Sequence, residues 1–129
     1  MRIMIDTNIL VSAVLFPNSI TAQSMAKAVK EHQILLCSYV LEETYSVFER
    51  KFPSKTANLN AYLSKLAYEQ LEISAVDEST PKMRDDNDRP ILQAAINAKA
   101  DAILTGDKDF HALAIKQPII ISPDALLIL

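Results

Sequence analysis

The sequence predicts an α/β fold, a three-layer α/β/α arrangement around a central parallel sheet of about five strands. Three observations predict it. Short runs such as Ile3-Met4-Ile5 and Ile34-Leu35-Leu36-Cys37 are apolar without alternation, the pattern of strands buried on both faces. The segments between such runs carry helical spacing or strong helix formers, and strands that alternate with helices pair in parallel under covering helices. The first run ends at Asp6-Thr7-Asn8, a strand leading into residues that cap helices.

The elements follow in order. After the first strand, Ile9 to Leu15 reads as a short helix, capped by Thr7 or Asn8 and ended near Pro17. Ser19 to His32 is rich in helix formers. Gln33 to Ser38 is the second strand. Ser38 then caps a helix to about Lys51, where Val40, Leu41, Thr44, Tyr45, Val47 and Phe48 give the helical period. Pro53 stops it, and Ser54 or Thr56 opens a further helix carrying Leu59, Tyr62, Leu63 and Leu66. Leu71 to Val76 alternates weakly and reads as an edge strand. A polar break, Asp77 to Asp88, contains Pro81. A helix starts near Arg89 or Pro90, since proline is tolerated in a first turn. Ala102 to Thr105 is the fourth strand, Gly106 to Asp109 a tight turn, and a short helix runs through Leu113. Ile119 to Ser122 is the fifth strand, with a last apolar turn or helix from Pro123 to Leu129.

With 129 residues, half of them hydrophobic, the chain reads as one globular domain over residues 1–129. A net charge of -3 argues against a protein that grips nucleic acid by bulk charge. The one cysteine, Cys37, lies in an apolar run and reads as a small buried hydrophobe, and His32 and His111 show no zinc spacing. The sequence has no apolar run approaching the ~20 residues of a membrane span and no secretory leader pattern, so the expected location is cytoplasmic. One glycine, Gly106, excludes the Gly-rich loops that cradle nucleotide phosphates.

Acids collect at element ends: Asp6 after strand one, Glu43 in the helix after strand two, Asp85, Asp86 and Asp88 before a helix, and Asp107 and Asp109 after strand four. In a parallel sheet, the carboxyl ends of strands and the N-termini of the following helices share one rim, where ligands bind. Carboxylates gathered there repel one another unless a divalent cation neutralises them, and all-oxygen ligands favour magnesium or manganese. Each acid also has a purely structural role open to it. Asp6 and Asp88 can cap helices, Asp107 and Asp109 can serve turn chemistry, and periodicity does not choose between Glu42 and Glu43.

Asp6-Thr7-Asn8 after a strand, the Ser38 to Glu43 helix, Asp85-x-x-Asp88 before a helix and Thr105-Gly106-Asp107-Lys108-Asp109 after a strand together resemble the PIN domain family. Within it the chain is similar to the small prokaryotic group that includes VapC-type toxins of toxin–antitoxin pairs. The resemblance implies strand order 3-2-1-4-5, with Asp6 beside Asp107. It places an acidic quartet on Asp6, Glu43, Asp88 and Asp107, a hydroxyl at Thr105, and Asn8 steadying the Asp6 carboxylate. It implies a Mg2+- or Mn2+-dependent endoribonuclease: Asp6 and Asp88 hold the cation, Asp107 binds it directly or through water, and Glu43 handles the attacking water or a second cation. Expected partners are an RNA substrate, an antitoxin protein and a second copy in a homodimer. Arg84, Arg89 and Lys108 are candidates to touch the RNA backbone. The main alternative is a catalytically inactive PIN-fold binding module. Aspartyl-phosphate chemistry is the other rival; it lacks the adjacent acid pair of receivers, and Asn8 stands where phosphatases need a second aspartate.

Overall fold

The computed structural model describes residues 1–73 and 75–129. Five short strands, β1 (Arg2–Ile5), β2 (Gln33–Cys37), β3 (Tyr68–Leu71), β4 (Ala102–Leu104) and β5 (Ile119–Ile121), form one parallel sheet in the order β3-β2-β1-β4-β5. Among the described residues, seven α-helices join and cover it: α1 (Thr7–Leu15), α2 (Ile20–Glu31), α3 (Ser38–Lys51), α4 (Thr56–Lys65), α5 (Arg89–Asn97), α6 (Lys108–His111) and α7 (Pro123–Leu127). This is the predicted architecture and strand order. The central strands explain it: Ile3, Met4, Ile5, Leu35, Leu36, Ile103 and Leu104 are all fully buried, with no polar face to turn outward. None of the helices among the described residues is by itself long and apolar enough to cross a membrane.

Register places the site. Ile3, Met4 and Ile5 pair with Ala102, Ile103 and Leu104. The ladder runs one step further through Asp6 N–H to Leu104 O at 3.1 Å and Thr105 N–H to Ile121 O at 3.0 Å. The residue after β1 and the residue after β4 are thereby brought side by side at the carboxyl edge.

Three local expectations are corrected. The third strand is Tyr68–Leu71, paired with Ile34–Cys37, and not Leu71–Val76; Ser74 of the expected strand lies outside the described residues. Only Leu66 and Ala67 separate α4 from the sheet, so pairing begins at once. With one neighbour and half-exposed side chains, this edge strand carries little hydrophobic signal of its own. The first helix starts at Thr7 with Asp6 as its cap, so neither Thr7 nor Asn8 caps it. The third helix starts at Ser38 behind Cys37, which gives no side-chain cap, so Ser38 is a first-turn residue.

The exit from α5 needs a left-handed residue, and Lys99 supplies it at φ 55°. Ala100 N–H returns to Ala95 O at 2.9 Å and Lys99 N–H to Ile96 O at 3.0 Å, the paired bonds of a Schellman turn that glycine normally favours. Lys99→Gly is expected to stabilise the fold by about 1 kcal/mol, because a left-handed side-chain conformation is relieved. A urea midpoint at or below wild type would remove this account of the turn.

Candidate metal centre

Asp6 sits at the junction of β1 and α1 and is only 6% exposed. Its Oδ1 accepts Thr7 N–H at 2.8 Å, and its Oδ2 accepts the Thr105 hydroxyl at 2.7 Å. Burial raises its pKa above the ordinary carboxylate value; the two hydrogen bonds oppose the rise, and the charges of Asp107 and Glu43 add to it. Thr105, bonded to both Asp6 and the Asp107 amide, holds these two acids at one rim. Asn8, expected to steady this carboxylate, is exposed instead, and Thr7 and Thr105 hold Asp6. The physical reason is the cap: with helix α1 starting at Thr7, Asp6 takes the backbone amide of its neighbour.

Thr105 is fully buried and links two acids. Its hydroxyl donates to Asp6 and accepts the Asp107 amide at 3.0 Å. Its carbonyl bonds the His111 ring Nε2 at 2.8 Å, so α6 braces the turn from below. Asp107 caps α6 by accepting Asp109 N–H through Oδ1 at 2.9 Å. Among the described residues its second oxygen has no hydrogen-bond donor. The turn-chemistry reading of Asp107 therefore accounts for half of the carboxylate.

The acidic stretch before α5 resolves into one inward and two outward members. Asp85 and Asp86 are exposed and Asp88 is half-buried. Asp85 accepts Asn87 N–H at 3.0 Å and shapes the turn. Asp88 stands at the cap position of α5 but makes no capping hydrogen bond, which leaves its carboxylate free toward the rim. Its pKa is pushed up to about 7, first by burial, then by the charges of Asp85, Asp107, Asp6 and Glu43. The loop behind it is pinned from below: the Thr80 hydroxyl donates to Gln93 Oε1, which also accepts Asp77 N–H at 2.9 Å. Arg89 donates through Nη2 to Thr80 O at 2.9 Å. That bond ties one end of the guanidinium to this loop.

Glu43 is half-buried while Glu42 is exposed, so the helix phase turns Glu43 toward the rim. Its Oε2 lies 3.5 Å from the Tyr39 hydroxyl, one helical turn earlier. Burial and then Glu43, Asp88 and Asp85 raise the Tyr39 pKa, so the ring belongs to the same electrostatic neighbourhood.

Asp88, Asp107 and Asp109 each offer an oxygen within 4.8 Å of the others. An octahedral ion with ligands at about 2.1 Å spans about 4.2 Å between opposite ligands. Oxygens this close could share one ion, and the all-carboxylate donor set fits Mg2+ or Mn2+. Asp6 lies outside this trio and acts on it by charge. Sequence reasoning treated Asp109 as turn chemistry; its place two residues after Asp107, inside a cap that folds the chain back, was the available signal. Tyr39, four residues before Glu43 on one helix face, was likewise missed. Arg84 stays 87% exposed and reaches Asp109 at 3.3 Å, so its guanidinium can leave without disturbing the core. Lys108 is exposed at the same rim.

Residues 2–109 match a family model described as PIN domain. No curated protein sequence matches the chain. Among solved structures, the chain is similar to one in the crystal structure of VapBC2 from Rickettsia felis bound to a DNA fragment from their promoter. Identity there is 24% and the TM-score 0.70, over 95% of this chain and 98% of that one. At that identity the likeness is one of fold.

Proposed function

The chain belongs to the PIN domain family, and on that footing we propose that it is a magnesium- or manganese-dependent endoribonuclease, the toxin component of a toxin–antitoxin pair. The observation that carries the reading is the trio Asp88, Asp107 and Asp109 at the carboxyl edge of the sheet, with Asp6 buried beside it. Burial first, and the charges of neighbouring acids second, raise the proton affinity of Asp6 and Asp88. That costs stability unless the site serves a cation.

In this reading Asp6, Glu43, Asp88 and Asp107 form the acidic set, and Asp109 joins it. A bound Mg2+ or Mn2+ would supply an activated water and charge stabilisation at the phosphorus. Asp88, which makes no capping hydrogen bond, and the second oxygen of Asp107 would be available to hold the ion. Asp6 holds its place through Thr7 and Thr105 and contributes negative charge from behind. Thr105 keeps Asp6 and Asp107 in register through one hydroxyl. Glu43, steadied by Tyr39, orients the attacking water and takes its proton. The phosphodiester oxygen of the leaving strand is protonated from solvent, and Lys108 and Arg84 meet the backbone of the RNA.

The toxin assignment rests on the family and on the fold shared with a VapBC2 protein, and it implies an antitoxin partner and assembly as a homodimer. The test is metal removal. Purified protein freed of metal by EDTA is expected to leave single-stranded RNA intact. Added Mn2+ or Mg2+ should restore endonucleolytic cleavage, and Ca2+ should not. Intact RNA with Mn2+, together with no calorimetric signal for the ion, would replace this reading with an inactive binding module.

A further inference from the structure

Next to the acidic centre lies a cavity of about 440 Å³ that the proposed chemistry does not use. Asn8 and Ser12 stand on its α1 wall, four residues apart and so on one helix face. Thr21, in the first turn of α2, faces them across the opening, and Gly106 and Asp107 close the side toward the acids. Among the described residues, the side chains of Asn8, Ser12 and Thr21 have no hydrogen-bond partner. Ile9 and Pro123 add apolar wall.

The cavity is large enough for a nucleobase with its ribose, and its wall has the matching chemistry. An amide that both donates and accepts, plus two hydroxyls, can satisfy a base edge, while the apolar residues meet the ring face. Gly106 borders open space: a Cβ there would meet nothing within 4 Å. Asp107 belongs both to the cavity wall and to the carboxylate trio, so the cavity adjoins the candidate metal centre.

We propose that the cavity between Asn8, Ser12, Thr21 and Gly106 binds one nucleotide of single-stranded RNA flanking the scissile phosphate and sets the base preference of cleavage. The inference rests on the ribonuclease reading for its substrate but not for its measurement. The experiment has two arms, applied to wild type and to Ser12→Ala/Thr21→Val, which removes two hydroxyls with little change of shape.

In the first arm, 15N-labelled protein without metal is titrated with each of the four ribonucleoside 5′-monophosphates and with inorganic phosphate. At least one nucleotide is expected to shift the amides of Ser12, Thr21 and Gly106. Binding should weaken about tenfold in the double variant, the loss of one or two good hydrogen bonds. Phosphate alone should leave those amides still. In the second arm, a randomised RNA is cut with Mn2+ and the ends are sequenced. Wild type should prefer one base at a fixed position beside the cut, and the double variant should lose that preference. Nucleotide shifts at the cavity without cleavage keep the pocket and remove the ribonuclease. Cleavage with unaltered preference and no shifts keeps the ribonuclease and overturns the pocket.

Discussion

Asp88→Asn and Asp6→Asn are each expected to reduce Mn2+-supported RNA cleavage by more than about 100-fold, the upper range seen when groups merely supporting a metal site are lost. The two substitutions act by different routes. Asn at 88 leaves the fold unchanged, because Asp88 makes no capping hydrogen bond to lose, and it removes a charge the cation needs. Asn at 6 still accepts Thr7 N–H, but its amide nitrogen would face the Thr105 hydroxyl, which already accepts from Asp107. Thr105 then has no acceptor for its own proton, and Asp107 loses its register. Neither loss should reflect unfolding. Burial and neighbouring acids hold the Asp88 pKa up, so a neutral replacement relieves that cost and metal-free Asp88→Asn should melt at or above the wild-type temperature; Asp6→Asn, which leaves the buried Thr105 hydroxyl without an acceptor, should melt below it but still cooperatively. Asp86→Asn and Glu42→Gln, on exposed positions, should cut RNA within about twofold of wild type, while Glu43→Gln should fall about 100- to 10,000-fold through loss of a general base. Comparable activity in Asp88→Asn and Asp86→Asn would overturn the choice of Asp88.

The metal-free protein is expected to lose stability as pH rises from about 4 to 7, and Mn2+ to reverse the loss. Asp88 titrates near 7 in the folded chain against 3.8 ordinarily. Between those values the unfolded chain has released this proton and the folded chain still holds it. The folded state therefore binds more protons, and stability falls with rising pH until Asp88 ionises. Asp6 is shifted the same way by burial and adds to the slope. A cation binds the ionised form, so ion binding releases a proton and strengthens about tenfold per pH unit below 7. Thermal melts should show a larger Mn2+-induced rise at pH 8 than at pH 5.5, and in Asp88→Asn both the pH slope and the difference should shrink. An equal Mn2+ effect at both pH values would place the ion away from Asp88.

Legibility in the sequence followed burial. The central strands could be read because Ile3–Ile5, Ile34–Cys37 and Ala102–Leu104 are buried on both faces, and a short uninterrupted apolar run bounded by turn residues is what such burial requires. The edge strand Tyr68–Leu71 was missed because its one-sided pairing leaves half-exposed residues with no distinctive pattern. Helix caps were displaced by a residue or two: Ser and Thr near a boundary are interchangeable in a sequence, whereas the backbone bend chose Asp6 and Cys37. At the rim, sequence order located the acids but not their aim. Whether Glu42 or Glu43 turns inward, and which of Asp85, Asp86 and Asp88 does, depends on a helix phase and a loop path that no local spacing encodes.

The layered α/β class, the succession of most elements and the points along the chain where carboxylates accumulate were all written in the order of residues, because hydrophobic burial and helix propensity are properties of short segments. Three-dimensional packing was needed for the rest. It brings Asp88, Asp107 and Asp109 into a space small enough for one ion, joins Asp6 to Asp107 through Thr105, and turns Asn8 away from Asp6 to face a cavity. Those facts come from parallel register between strands about a hundred residues apart in sequence, and pairing at that separation is settled by the packing of the whole sheet.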